Sequence, residues 1–264
     1  MHYITIQEII DYSKCPMYYF FKYKNKDLKT EYINLIEKYD IDIHKALYYS
    51  FTRVQEGSPI RIEDLKAAWG RAWVKDKRKS ELIFTDTLLN KDTYNERRRK
   101  GLTSLITFHK NFNKNPGFPV IINKKYNLKI SNNLTLIGSH EVIREMKDEM
   151  DKNYIEVCTF KTDEHTNNKI NKQFDLKLIG SALAIKEEIQ NVDFKYMMYH
   201  VDKNNFYYMN DLDMKRNIFN TTITNIYKAI YNKLYYICPS EKCMYCTYRE
   251  LCASIENINK IVDK

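Results

Sequence analysis

Three cysteines close the chain at C-x2-C-x5-C, in Cys243-Met-Tyr-Cys246-Thr-Tyr-Arg-Glu-Leu-Cys252, and a fourth, Cys15, stands near its start. Three thiolates are one short of the four-ligand set that an iron–sulfur cluster or a structural zinc takes. If Cys15 supplies the fourth, one metal centre joins opposite ends of the sequence, and every element between them must fold so as to bring those ends together. Cys15 is the better candidate because Cys15-Pro16 follows a capped helix and opens an aromatic run, Tyr18, Tyr19, Phe20, Phe21 and Tyr23, that would give a metal centre a dry wall. Cys238, five residues before Cys243, competes for the role. Cys158 lies in a strand-like segment and reads as a buried thiol.

With 264 residues, 44% of them hydrophobic, the chain can bury a sizeable core as one large domain or two intimate ones. Only 6 Gly and 5 Pro argue against low-complexity linkers. No apolar run approaches the roughly 18 residues that span a bilayer. Met1-His2-Tyr3 leads into Thr5-Ile-Gln-Glu8 without an apolar leader, so a cytoplasmic location and no membrane partner are expected, in a compartment where free thiols persist and ligate metal. The formal net charge of +9, from 43 Lys+Arg against 34 Asp+Glu, favours an anionic partner. The excess is clustered, in Lys75-Asp-Lys77-Arg78-Lys79, in Arg97-Arg98-Arg99-Lys100 and at Lys124-Lys125. Clusters of this kind neutralise consecutive phosphates, which points to nucleic acid.

Thr5-x-x-Glu8 is a capping box that starts a helix ending at Cys15-Pro16, and Pro16 opens a second helix running to about Tyr23. Asp27 to Asp40 is polar and reads as a connection or as an extension of that second helix. Ile43, Leu47, Phe51 and Val54 lie at helical spacing, with His44 beside the stripe. Residues 62 to 74 form the next helix, whose Trp69 and Trp73 read as core, with base stacking as the functional alternative. A helix over 102–108 stops before the turn Asn115-Pro116-Gly117. The period then changes to strands over 126–130, 134–143 and 154–160, a helix over 174–189, strands over 194–201 and 206–209, and a long helix over 213–235. The expected architecture is a single α/β unit: a mainly helical lobe over 1–118, an α/β core over 119–212, and a long helix with the cysteine tail over 213–264.

In this order, the elements and motifs resemble the RecB-type branch of the PD-(D/E)XK nucleases that carry an iron–sulfur cluster, a group that includes CRISPR-associated exonucleases and the nuclease domain of the AddB helicase–nuclease subunit. Ile9-Ile-Asp-Tyr-Ser-Lys-Cys15-Pro16-Met-Tyr-Tyr-Phe20 is similar to the segment around that family's first cluster cysteine, and Cys243, Cys246 and Cys252 match its last three in order and spacing. The resemblance implies a restriction-endonuclease-like core and a 4Fe-4S cluster on Cys15, Cys243, Cys246 and Cys252 that staples the termini, with structural zinc as the alternative. It also gives His44 the place of a helix histidine at the metal site.

The chemistry of such nucleases needs two carboxylates on adjacent strands to hold Mg2+ or Mn2+, and a lysine two residues past the second acid. Gly138-Ser-His-Glu141 resembles the first motif, G-x-x-D, with Glu141 in the place of Asp. The second, D-x-K, reads Thr159-Phe160-Lys161: the lysine is kept and the acid is not. Strand alternation puts Glu156 on the opposite face from Thr159 and Lys161, so it does not substitute. The third, Q-x3-Y, reads Lys177-Leu-Ile-Gly-Ser181, with both residues changed.

The resemblance therefore implies a nuclease scaffold that keeps its cluster and binds DNA, single-stranded or at a duplex end, through Lys77, Arg78, Lys79, Arg97, Arg98, Arg99, Lys100 and Lys177, with catalysis reduced or lost. The expected setting is DNA replication, recombination, repair or phage DNA metabolism, alongside a helicase or replication complex. Two alternatives stand beside this: an active Mg- or Mn-dependent exonuclease that has recruited Asp163 or Asp175 as a migrated acid, and a structural subunit of a larger complex.

Overall fold

The computed structural model describes residues 1–25, 35–75, 91–112, 114–162, 175–240, 243 and 246–254. Lys77, Arg78, Lys79 and Asp163 lie outside the described residues. The elements are β1 (His2–Thr5), α1 (Ile6–Lys14), α2 (Pro16–Tyr19) continuing into a wider π-helical turn (Phe20–Lys24), α3 (Leu35–Gln55), α4 (Ile62–Lys75), α5 (Lys91–Phe112), β2 (Phe118–Ser131), β3 (Leu134–Lys147), β4 (Asn153–Lys161), α6 (Leu176–Glu188), β5 (Phe194–His200), β6 (Asn205–Met209) and α7 (Leu212–Tyr231).

The capping box closes as expected, with the Thr5 hydroxyl accepting from the Glu8 amide at 3.1 Å and the Glu8 carboxylate accepting from the Thr5 amide at 2.9 Å. Five elements depart from the sequence reading, two of them, β2 and β3, by running longer than the segments read as strands. Strand β1 was not anticipated, because four residues carry too little alternation to signal a strand. Helix α3 begins at Leu35, inside the polar segment read as a connection or as an extension of the helix before it, and α5 begins at Lys91, well before residue 102, because its basic run hides the apolar period.

The sheet is mixed, in the order β1-β3-β4-β5-β6, with β2 also paired to β3. Strand β2 occupies one whole edge of β3, antiparallel. Along the other edge, β1 pairs parallel with 134–137 and β4 pairs antiparallel with 142–147, so the sheet forks between them at residues 138–141. The ladder between β3 and β4 ends at Val142–Cys158, and the next residue out is Glu141.

A kink sits at the same level. Asn123, which falls between the pairs Ile122–Val142 and Lys124–His140, has a left-handed φ of 45°. There the strand faces exchange: Leu134 and Leu136 share a core with Ile143, whereas Val142 belongs to the other core. Asn tolerates this conformation better than most residues do.

Helices cover both faces. One core joins α1, α6 and α7 to Tyr126, Leu128, Val157 and Met198; the other joins α3, α4 and α5 to Val142, Cys158, Phe160 and Tyr199. Thus α1 packs with α6 and α7, across the sheet from α3–α5. The alternation read for β4 holds, with Val157 in one core and Cys158 and Phe160 in the other. Glu156 is buried on the latter side and accepts from Arg144 Nε at 2.8 Å. None of the described helices is long and apolar enough to cross a membrane.

The two ends of the described chain meet. The Tyr12 hydroxyl donates to the Leu234 carbonyl at 2.6 Å, and the Met17 amide donates to the Tyr236 carbonyl at 3.1 Å. Buried Tyr248 lies between the rings of Tyr18 and Phe21, with centroids 5.4 and 5.3 Å away.

Candidate functional site

Glu141 is placed where β3 and β4 part. With no backbone partner left on β3, the Phe160 amide donates instead to Glu141 Oε2 at 2.7 Å, so the carboxylate closes the ladder with its side chain. His44 approaches from α3, its Nε2 3.6 Å from Glu141 Oε2, an ion-pair distance without a hydrogen bond. Its Nδ1 lies 2.7 Å from the Asp40 carbonyl, which can only accept, so Nδ1 carries a proton. Lys177, in the first turn of α6, brings its ammonium to 3.5 Å from Glu141 Oε1. Lys161 leaves the end of β4 and pairs with Asp175 Oδ2 at 2.8 Å. Asp175 is the N-cap of α6, and its Oδ1 accepts from the Leu178 amide at 2.8 Å.

The charges are mutually adjusted. Burial would raise the Glu141 pKa, but His44 first and then Lys177 outweigh it and hold the carboxyl down to about 2. Burial would lower the His44 pKa, but Glu141 and then Asp40 raise it to about 9, so the imidazole is cationic at neutral pH. Burial opposes the charge of Lys161 as well, and Asp175 followed by Glu141 restores it above its ordinary value.

This donor set does not fit a hard divalent cation, which takes oxygen ligands with charge to spare. Glu141 has one oxygen on an amide and a cationic imidazole and the other on Lys177; Asp175 has one on a helix amide and one on Lys161. Thr159, in the place of the second acid, is fully buried and offers a hydroxyl that has no hydrogen-bond partner. Among the described residues, no group of three or more His, Cys, Asp or Glu side chains that could hold a metal ion is present.

The structure therefore brings together His44, Glu141, Thr159, Lys161, Asp175 and Lys177 from α3, β3, β4 and α6. Three further participants escaped the sequence. Asp40 backs His44 from one turn earlier, and the i, i+4 spacing would have found it had that stretch been joined to the helix that holds His44. His140 Nδ1 lies 2.7 Å from the hydroxyl of Ser181, the other changed residue of the α6 motif; burial and then Lys124 lower its pKa to about 4, leaving it neutral. Tyr126 stacks on His140 with its hydroxyl buried and unpartnered, and no sequence signal marked it.

At the joined ends, burial raises the Cys246 pKa against a lowering backbone hydrogen bond at Tyr248, and Cys15, Cys243 and Cys252 add to the rise; these four cysteines do not form a group placed to hold a metal ion among the described residues. Four thiols are the donor set that an iron–sulfur cluster or a zinc ion takes. Cys238 is exposed, and it is the backbone carbonyl of this residue that faces the Cys243 thiol, at 3.9 Å. Cys158 is buried, as expected, beside Glu156.

The basic run on α5 divides. Lys100 turns inward to buried Asp202 at 3.4 Å and lies over the Tyr39 ring. Arg98 and Arg99 are exposed and, with Lys66, Trp69, Gly70, Asn95 and Leu102, line a cavity of about 350 Å³ between α4 and α5. Arg97 is half-buried. Trp69 and Trp73 are both core residues, their rings 5.0 Å apart.

Compared with models of known families, residues 3–253 match that of the PD-(D/E)XK nuclease superfamily. No curated protein matches the chain. Among solved structures, one titled "Crystal structure of SSO0001" is similar at 13% identity with a TM-score of 0.31, over 86% of this chain and 87% of that one.

Proposed function

Because the chain belongs to the PD-(D/E)XK nuclease superfamily, we propose that it is a nucleic-acid-binding member whose cutting chemistry is reduced or lost and whose ends are held by a 4Fe-4S cluster on Cys15, Cys243, Cys246 and Cys252. The observation that carries the loss of cutting is the commitment of both carboxylates in the site to amides and cations, with a neutral Thr159 in the place of the second acid. Binding is supported by the net charge of +9 and by the exposed Arg98, Arg99 and Lys66 around the α4–α5 cavity. The ligand is DNA, single-stranded or at a duplex end. The role is in DNA replication, recombination, repair or phage DNA metabolism, with a helicase or replication complex as the fitting protein partner.

The test is one anaerobic preparation of the whole chain, assayed for iron and for labelled DNA with and without Mn2+. Iron retention, salt-dependent binding and no cleavage are expected. Metal-dependent cleavage that disappears in Glu141→Ala would instead establish an active nuclease. The closeness of Asp175 to Lys161 would then name the acid responsible.

A further inference from the structure

In the site around Glu141, the groups still able to bond are donors. Lys177 is an ion-pair partner of Glu141 at 3.5 Å but makes no hydrogen bond among the described residues, and its side chain is 28% exposed, so its ammonium faces both the buried carboxylate and solvent. His44 Nε2, which is ion-paired with the same carboxylate, and the hydroxyls of Thr159 and Tyr126 are buried without hydrogen-bond partners. The Tyr126 hydroxyl lies against Gly138 and Gly180, on the strand and the helix that carry Glu141 and Lys177. The acceptors, by contrast, are used up on both carboxylates. Buried polar groups without partners are rare in folded proteins, and several donors in one place mark the seat of an absent acceptor. The ligand that matches donors and an ammonium is an anion with several oxygens.

We propose that Lys177 serves as the resident cation of this site and, with the Lys161 end of β4, forms a metal-independent receptor for a phosphate group of the bound nucleic acid. This deepens the proposed function and rests on it for the identity of the ligand. The ammonium is covalently fixed on α6, so the site needs no divalent ion to offset Glu141 or to meet the phosphate. Asp175 holds Lys161 in place from the cap of the same helix, which ties both cations to one element.

The probe is a short single-stranded oligonucleotide with or without a terminal phosphate, titrated against the whole chain in EDTA and again in Mg2+. Inorganic phosphate forms a separate arm, followed by thermal melting. The wild type is expected to bind equally well in EDTA and in Mg2+. Lys177→Gln should weaken binding in EDTA by about tenfold or more, the loss of a hydrogen bond to a charged group, and should lower the salt slope by about 0.7. Lys177→Arg should retain binding, and melting of each variant near the wild-type temperature checks that the change is local. A stronger effect on the phosphorylated oligonucleotide assigns the site to a terminal phosphate; equal effects assign it to the backbone. Phosphate stabilisation of the wild type but not of Lys177→Gln, with no DNA binding by either, would uphold the receptor and refute the nucleic-acid reading. Binding that requires Mg2+, or Lys177→Gln binding as tightly as the wild type, would overturn the receptor while leaving DNA binding through α5 in place.

Discussion

The hydroxyl of Thr159, two residues before Lys161 on β4, is buried with no hydrogen-bond partner, so adding charge there tests what the site lacks. In Thr159→Asp with Lys177→Gln, a carboxylate is gained and a competing cation removed. Mn2+ is expected to raise the melting temperature of that double variant and to leave the wild type unmoved; equal response of both would show that the present donors suffice. His44 gives a second prediction. Its folded pKa of about 9 lies above the ordinary 6.5, so its contribution to stability is fully present below about pH 6.5 and is lost as pH rises through 9. Urea unfolding at pH 6 and 9.5 should show the gap between wild type and His44→Gln narrowing at the higher pH. A constant gap would mean that the imidazole is neutral throughout. At this scale, Glu141 and Lys161 were legible because each sits in a spaced motif, His44 because it stands where the resembled family has a helix histidine, and Lys177 as a departure from a motif. Asp40, Tyr126 and His140 were not, since nothing in the sequence shows which side chains a kinked strand and a packed helix bring to one point.

Among the elements, β3 and its partners fix the site by ending their pairing at different places. Gly138 faces Tyr126 across the β2–β3 ladder, and a Cβ there would fall inside the Tyr126 ring. Gly138→Ala is therefore expected to cost about 1–3 kcal/mol by overpacking, measured by chemical denaturation, and a cost near zero would mean that the ring has room to swing away. Helices α4, α6 and α7 and the strands of the hairpin could be located from periodicity because their apolar faces are regular. The extent of β2 and β3 could not. They run from 118 to 131 and from 134 to 147, well beyond the segments read as strands, because the exchange of faces at Asn123 breaks the alternation that would have signalled their length.

For the whole molecule, Cys15 and the tail make one unit out of distant sequence. Cys15→Ala is expected to lose iron and melt at a lower temperature, while Cys158→Ala keeps its iron; full iron loading in Cys15→Ala would move the fourth ligand elsewhere. Charge reversal of Arg98 and Arg99 to Glu, on the exposed rim of the α4–α5 cavity, should weaken DNA binding and reduce its salt dependence by roughly 0.9 per lost phosphate contact on duplex DNA. Unchanged affinity and slope would mark these arginines as a solvated surface.

The bond from Tyr12 to Leu234 spans 222 residues. During synthesis, the aromatic wall around Tyr18 and Phe21 therefore emerges from the ribosome long before Tyr248 exists to cover it. Contacts so far apart in sequence close late and slowly, which leaves this apolar surface open to chaperones or to premature aggregation until translation has passed Cys252. Low yield or poor solubility when the protein is made quickly would then reflect the order in which its parts appear, whatever the strength of the finished fold.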